Sequence, residues 1–322
     1  MMKLITGNAP HLRSKDTTSK IMLDVIIALI PALIGAWYFF GFYAFFLAIL
    51  GALFGELFEF FIMRYLRKDK NFVPNGSAAV TGILLAMNVS PATPWWIMLI
   101  GLIFALGVAK HAFGGLGMNI FNPALAGRAF LLVSFPVYMT TWYKPALSFS
   151  KWIDIQTTAT PLAILKEKGF SQINVSYSDL FFGNRAGSIG ETSVLLLLIG
   201  FIYLVVKGRI KLMIPLTYVG TVFLMSSVFY FANPERFGSP LFHILSGGLM
   251  LGALFMATDM VTSPMTPKGQ AIFGVGCGVM TLLIRYFAGY PEGVSLSILL
   301  MNGFVPLIDR FTQPRIFGEV KS

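Results

Sequence analysis

Charged residues are scarce in this sequence, and several of them stand where charge is expensive. Asp24, Glu56, Glu59, Arg128 and Arg285 all fall inside long apolar runs. An ionisable side chain within a membrane span costs about 3 kcal/mol even on lenient scales, so it marks a functional position by default. Asp24, about one turn into the first run, and Glu56, deeper in the second, are therefore candidates for a cation path. Glu59 and Arg128 read as paired structural charges. A second signal is a repeated helix break: Ser90-Pro91-Ala92-Thr93-Pro94 and Ser263-Pro264-Met265-Thr266-Pro267 each end a Gly-containing apolar stretch too short for an easy crossing. Backbone groups freed at such breaks are tolerated at membrane depth only where protein, water or a ligand receives them. His11, His111 and His243 share no metal-ligand spacing. Cys277, the single cysteine, forms no disulfide, CxxC pair or thiolate-held cluster by itself. No metal is assigned, and any redox metal centre must involve another chain.

The elements that carry these residues follow from composition. Of 322 residues 56% are hydrophobic and 12% charged, against about a quarter charged in a soluble domain. A soluble core is excluded. Apolar runs of roughly 17 to 25 residues match a hydrocarbon layer about 30 Å thick. They predict an all-α, polytopic membrane protein with helices near 21–42, 44–64, 77–89, 95–112, 121–139, 192–206, 212–231, 242–258, 269–288 and 294–308. Residues 1–20 lack the apolar core and cleavage site of a secretory signal, so the first span is expected to stay.

Ten crossings put both termini on one side. Sixteen of the 24 Lys and Arg fall on that side and six on the other, with Arg128 and Arg285 inside the runs. The positive-inside bias makes the first side cytoplasmic and accounts for the net charge of +10 without nucleic acid. Trp37, Trp95, Trp96, Trp142 and Trp152 then fall at the outer interface. Because each half holds five crossings, the two halves are expected to be inverted repeats, residues 1–136 and 192–309, with broken helices facing each other. The segment 137–191 forms an ordered extracytoplasmic loop, and 310–322 a cytoplasmic tail.

Within that loop Asp154-Ile155-Gln156-Thr157-Thr158-Ala159-Thr160-Pro161-Leu162 reads, by composition, as an ordinary Ser/Thr turn leading into a helix. At this element, however, the chain resembles the D-type membrane subunits of Rnf complexes and the B-type ones of sodium-pumping NADH:quinone oxidoreductases. The resemblance extends to Gly114-Gly115-Leu116-Gly117-Met118-Asn119-Ile120-Phe121-Asn122-Pro123 through Phe130, and to Ala257-Thr258-Asp259-Met260-Val261-Thr262-Ser263-Pro264. It covers nearly the whole chain in matching order, and the short polar N-terminus is more like the D type. It implies that Thr160, the last threonine of a Ser/Thr-x-Ala-Thr element, carries FMN through a phosphoester, with Thr158 and Ala159 beside it. Thr158 stands where glycine or serine is usual, and Met260 where proline is common. Lys151, Lys166 and Lys168 are near enough in sequence to screen the phosphate.

The resemblance also implies a second, noncovalent flavin, riboflavin, toward the cytoplasmic half. Asn119 and Asn122, three apart, are expected to share a helix face and offer amides to its pyrimidine edge; the alternative is that they cap that helix beside Pro123. Asp259, next to the second break, is a candidate to sense flavin or cation, or else bonds free backbone there. The implied function is an electron-carrying subunit of an Rnf-type pump in the bacterial cell membrane, moving Na+ or H+ while ferredoxin is oxidised and NAD+ reduced. It is not catalytic alone. Ferredoxin- and NAD-binding subunits and a second FMN subunit must supply the rest, since this chain has no Rossmann glycine pattern and no cluster cysteines. The rival readings are a quinone-reducing subunit of the related sodium pump and a cofactor-free channel or transporter.

Overall fold

The computed structural model describes residues 16–145, 147, 157–191 and 193–313. Lys151, Trp152, the 154–156 part of the Thr160 element, His11 and the tail 314–322 lie outside the described residues. All ten expected segments are helical. The chain opens with α1 (Thr18–Phe40), started by Thr17, whose side chain accepts from Lys20 N, and closed at Gly41. Gly41 has φ +86°, a conformation that favours glycine. It turns the chain in a single residue into α2 (Phe42–Phe61), which runs on through a π-helical turn to Leu66. Then come α3 (Ser77–Met87), α4 (Trp95–Phe104, prolonged by a π turn to His111), α5 (Pro123–Ser134) and the short α6 (Pro136–Thr140).

After an excursion described below, α9 (Val194–Val206) and α10 (Met213–Ala232) are followed by the short α11 (Pro234–Phe237). Next are α12 (Pro240–Leu245) and α13 (Leu249–Leu251, prolonged by a π turn to Met256), then α14 (Pro267–Phe287) and α15 (Val294–Thr312).

Five of these helices are long and apolar enough to cross a membrane: Thr18–Phe40, Phe42–Leu66, Met213–Ala232, Pro267–Phe287 and Val294–Thr312. Only 28–44% of their most apolar stretches is buried within the protein, so most of their apolar surface faces outward, as it does in lipid. The chain is a multi-pass membrane protein. Four further apolar helices, including Ser77–Met87 and Val194–Val206, are shorter. The segment 242–258, expected as one helix, is two: Pro234–Leu245 and Leu249–Met256 meet at 46° across Ser246-Gly247-Gly248, where Gly247 takes φ +65°. The sequence signal of a break was read only in the Ser-Pro motif downstream. The Gly-Gly pair upstream breaks the same span a second time.

The excursion 137–191 is ordered where described. Trp142–Tyr143 (β1) pairs antiparallel with Thr157–Thr158 (β2), Trp142 opposite Thr158. The chain then enters α7 (Pro161–Lys168), a 3-10 turn at Phe170–Gln172, and α8 (Tyr177–Phe182). Residues 183–191 dock onto the end of α3. Ile189 N donates to Val89 O (3.1 Å) and Gly190 N to Met87 O (2.8 Å), filling carbonyls that a helix end leaves open.

Helices meet through small residues. A side chain at Gly82 of α3 would collide with the backbone of Gly51 in α2, and one at Gly200 of α9 with the carbonyl of Ala28 in α1. Glycine permits backbone approach where no hydrophobic force draws helices together. Gly200→Val should therefore lower stability by roughly 3 kcal/mol, the upper part of the usual overpacking range because the obstacle is backbone. Thermal unfolding in detergent checks this, and an unchanged midpoint is incompatible with the α1–α9 contact.

Candidate functional site

Two cavities at opposite ends of α5 gather most of the residues singled out in the sequence. At the first end lies a cavity of about 320 Å³ walled by Thr158, Ala159, Thr160, Trp142, Tyr290 and Arg128, among others. Thr160 is brought there by the β1–β2 pairing just before it and by its own place as N-cap of α7, where Oγ accepts from Ala163 N (3.2 Å). It is 5% exposed. Beneath it, Arg128 pairs with Glu292 through Nη2 and donates from Nη1 to Asn88 Oδ1 (2.8 Å). Arg285 reaches Ser246 O (3.0 Å), His243 O (2.7 Å) and Glu292 O (3.1 Å). Carbonyls freed at the α12–α13 break are thus received by a guanidinium. Arg185 bonds Glu191 O and Gly247 O through Nη2.

The second cavity, about 110 Å³, is bounded by α1, α3, α9 and the turn after α13. Asn119, Asn122, Asp259, Ser77, Lys110 and Arg209 supply its polar lining. Asn119 and Asn122 do not share a helix face as expected: Asn119 sits in the non-helical stretch before α5, because Pro123 sets the helix start. Asn122 is the N-cap, with Oδ1 accepting from Ala124 N (3.1 Å) and Leu125 N (3.3 Å) and Nδ2 donating to Met256 O (3.2 Å). Its capping role is thus realised. Asn119 gives Nδ2 to Phe121 O (3.2 Å), while its Oδ1 is buried without a partner. Asp259 accepts from Thr262 Oγ (3.0 Å). The Ser-Pro turn beyond it is tied down by Asn302 Nδ2 to Thr262 O (2.8 Å) and Gln270 Nε2 to Pro264 O (3.1 Å).

Against this cavity lies a buried charged network that the sequence reading did not assemble. Lys110 Nζ is 2.7 Å from Glu59 Oε1 and donates to Ser77 Oγ at 2.7 Å; His111 Nε2 is 2.9 Å from the same carboxylate oxygen. Glu59 and Arg128 are each paired, with Lys110 and Glu292 respectively. Lys110 stands near the end of an apolar run, and that position was its only sequence signal. Arg185, Glu191 and Glu292 sit in connecting segments, where charge is ordinary, and nothing in the sequence distinguished them.

The ion-path candidates line neither cavity, although Asp24 contacts Arg209 at the edge of the second. Asp24 has both oxygens engaged, by Tyr203 OH (3.0 Å) and Arg209 Nε (2.7 Å). Glu56 accepts from Ala79 N (2.9 Å) at the start of α3, and its second oxygen is buried without a partner. Of the lysines near Thr160, Lys166 donates to Ala288 O and Lys168 is exposed.

Residues 5–318 match the NQR2, RnfD, RnfE family. The chain is 47% identical over 97% of its length to the D subunit of the proton-translocating ferredoxin:NAD(+) oxidoreductase complex of Clostridium ljungdahlii, of which 95% is covered. It is equally 47% identical to the Na(+)-translocating counterpart of Acetobacterium woodii, over 99% of this chain and 97% of that one. To the D subunit of the ion-translocating oxidoreductase complex of Aliivibrio salmonicida it is 36% identical over 99% of this chain and all of that one.

Removing one member of the Lys110–Glu59 pair strands a buried charge. Glu59→Gln should lower stability by about 3–5 kcal/mol, and Glu59→Leu combined with Lys110→Met should restore much of it. Unfolding midpoints of the single and double variants check this; additive losses exclude it.

Proposed function

The chain belongs to the NQR2, RnfD, RnfE family, and from that premise we propose that it is the electron-carrying D subunit of an ion-translocating ferredoxin:NAD+ oxidoreductase complex. The cofactors we assign are FMN, covalently held on Thr160 through a phosphoester, and riboflavin, bound without a covalent bond near Asn119, Asn122 and Asp259. Bound flavins supply the redox chemistry, and the protein supplies position and electrostatics.

The observation that carries the reading is the setting of Thr160. Its hydroxyl borders a cavity of about 320 Å³, within the range of about 300–1,000 Å³ usual for small-molecule sites. Trp142 and Tyr290 supply aromatic lining, Thr158 and Ala159 line it beside Thr160, and Arg128 supplies positive charge. The opposite pocket fits its assigned group in chemistry more than in size. Asn119 Oδ1 is an open acceptor and Lys110 a donor, but 110 Å³ admits only part of a tricyclic ring. Along α5, Asn122 and Arg128 are six residues apart, about 9 Å at 1.5 Å per residue. One short helix therefore separates the two cavities.

We read the ten helical segments as ten crossings in inverted halves, 1–136 and 192–309, joined by the extracytoplasmic segment 137–191 and followed by a cytoplasmic tail, 310–322. Supporting this, the first Ser-Pro turn meets Thr141 and the 183–191 segment at the Thr160 end, through Ser90 Oγ to Thr141 O (2.6 Å). The turn after α13 lines the opposite pocket. The excess of Lys and Arg at that opposite end and at the termini supports a cytoplasmic placement of that end, and the bacterial sources of the relatives support the bacterial inner membrane. Ferredoxin- and NAD-binding subunits and a second FMN subunit are the partners. The transported ion is Na+ or H+. Its route we assign to Glu56, whose second oxygen has no partner, and to Asp24, which must first release Arg209.

Thr160→Ala should remove covalent flavin entirely while the protein still inserts; flavin fluorescence persisting on a denaturing gel of that variant defeats the attachment. Glu56→Gln should depress Na+ or H+ uptake by inverted vesicles with covalent flavin retained. Undiminished uptake removes Glu56 from the path.

A further inference from the structure

The Thr160 end buries more positive charge than its carboxylates cancel. Arg128 (7% exposed), Arg185 (4%) and Arg285 (4%) share one cluster with Glu191 and Glu292. A Cβ placed on Gly247 would stand 3.2 Å from Arg285 Nη2 and 4.0 Å from Glu191 Oε2. One on Gly248 would stand 3.3 Å from Glu191 Oε2 and 4.0 Å from Arg128 Nη1. Among the described residues of this cluster, three guanidinium groups against two carboxylates leave an excess of one positive charge. Burial lowers Arg185, but a guanidinium stays charged at neutral pH, and burial pushes Glu292 up, which does not reduce the excess.

A buried charge without a counterion is strongly unfavourable, and Arg185 shows where the missing anion belongs. Its Nη2 is spent on backbone carbonyls, but Nε and Nη1 have no partner. With Thr160, Glu191 and Glu292 it lines a cleft of about 10 Å³, room for about one oxygen atom; Glu191 Oε2 and Glu292 Oε1 are also without partners, so an anion there is held by the arginines against two carboxylates. Thr160 also caps the eight-residue α7; Pro161 has no N–H and Ala163 N is taken by Thr160 Oγ, so Leu162 N is the first-turn donor left to an anion at this helix start.

Resting on the covalent attachment proposed above, we propose that Arg185 is the positioning residue for the phosphodiester on Thr160. One non-bridging oxygen enters the cleft and accepts from Arg185, and the single negative charge of the diester cancels the excess of the arginine cluster. Guanidinium suits this task because it is always charged and offers several donors in a fixed plane. The lysines nearer in sequence are not needed for it.

The test is a cycle in the intact complex: wild type, R185Q, T160A and the double variant, each measured for intact mass of this subunit and for Tm. R185Q should lower the Tm of flavin-bearing protein by several degrees. In the T160A background the fall should be several degrees smaller, because there the loss of the carbonyl bonds is offset by removal of an uncompensated cation. Loss of flavin from R185Q that R185K restores supports the same assignment. Equal Tm shifts in both backgrounds would mean that Arg185 serves only the carbonyls of Glu191 and Gly247, and would overturn the clamp. So would full flavinylation of R185Q with unaltered Tm. If R185Q does not accumulate, R185K is compared in the same two backgrounds, with a smaller shift of the same sign expected and equal shifts again overturning the assignment. A wild-type subunit with no added flavin mass sinks the attachment as well, whereas a flavin-bearing wild type with additive shifts sinks the clamp alone.

Discussion

Hydrocarbon offers no water to a freed N–H or carbonyl, so each interruption of a helix in this chain must bring its own receivers. The interruptions after Met87, at Ser246–Gly248 and after Met256 are where polar side chains converge. Segment 183–191 answers the end of α3 with backbone N–H groups, Arg285 answers the end of α12 with its guanidinium, and Asn302 and Gln270 answer the last turn with amides. Polar groups brought in to complete backbone hydrogen bonding also line the cavities, so the sites are consequences of how the breaks are resolved.

The two ends resolve charge differently. Beside the smaller pocket Lys110 and Glu59 cancel one another, with Ser77 and His111 completing their hydrogen bonds. Beneath Thr160 the arginines outnumber the carboxylates. A balanced buried pair costs desolvation but leaves no field demanding a partner; an unbalanced cluster does. That contrast gives the Thr160 end its anionic preference and leaves the opposite pocket to be read through its open amide acceptor and its carboxylate.

Close packing lets so short a set of helices hold such polar centres. Gly51 with Gly82 and Gly200 with Ala28 bring α2 onto α3 and α1 onto α9 at backbone contact. The short α3 and α9 are fixed by neighbours on several sides, and the charged groups they border are held without solvent. The outward faces stay apolar, as with Phe231 (84% exposed) and Val206 (81% exposed), and meet lipid.

The sequence alone carried the class of protein, the positions of the helical segments within a few residues save for the extra break inside 242–258, and the two Ser-Pro breaks, because hydropathy, proline and glycine act locally along the chain. It also marked Thr160, Asn119, Asn122 and Asp259 by resemblance, and the fold sorts these into two cavities. What it could not carry was pairing across distance. Glu59 lies far along the chain from Lys110, and Arg128 farther still from Glu292; no local pattern links such residues. Nor could it tell that Asp24 is occupied by Arg209, that Pro123 excludes Asn119 from the helix, or that Arg185, in a segment where arginine is unremarkable, lies buried beside Thr160. Those facts depend on which helix faces meet, and only the packed structure decides that.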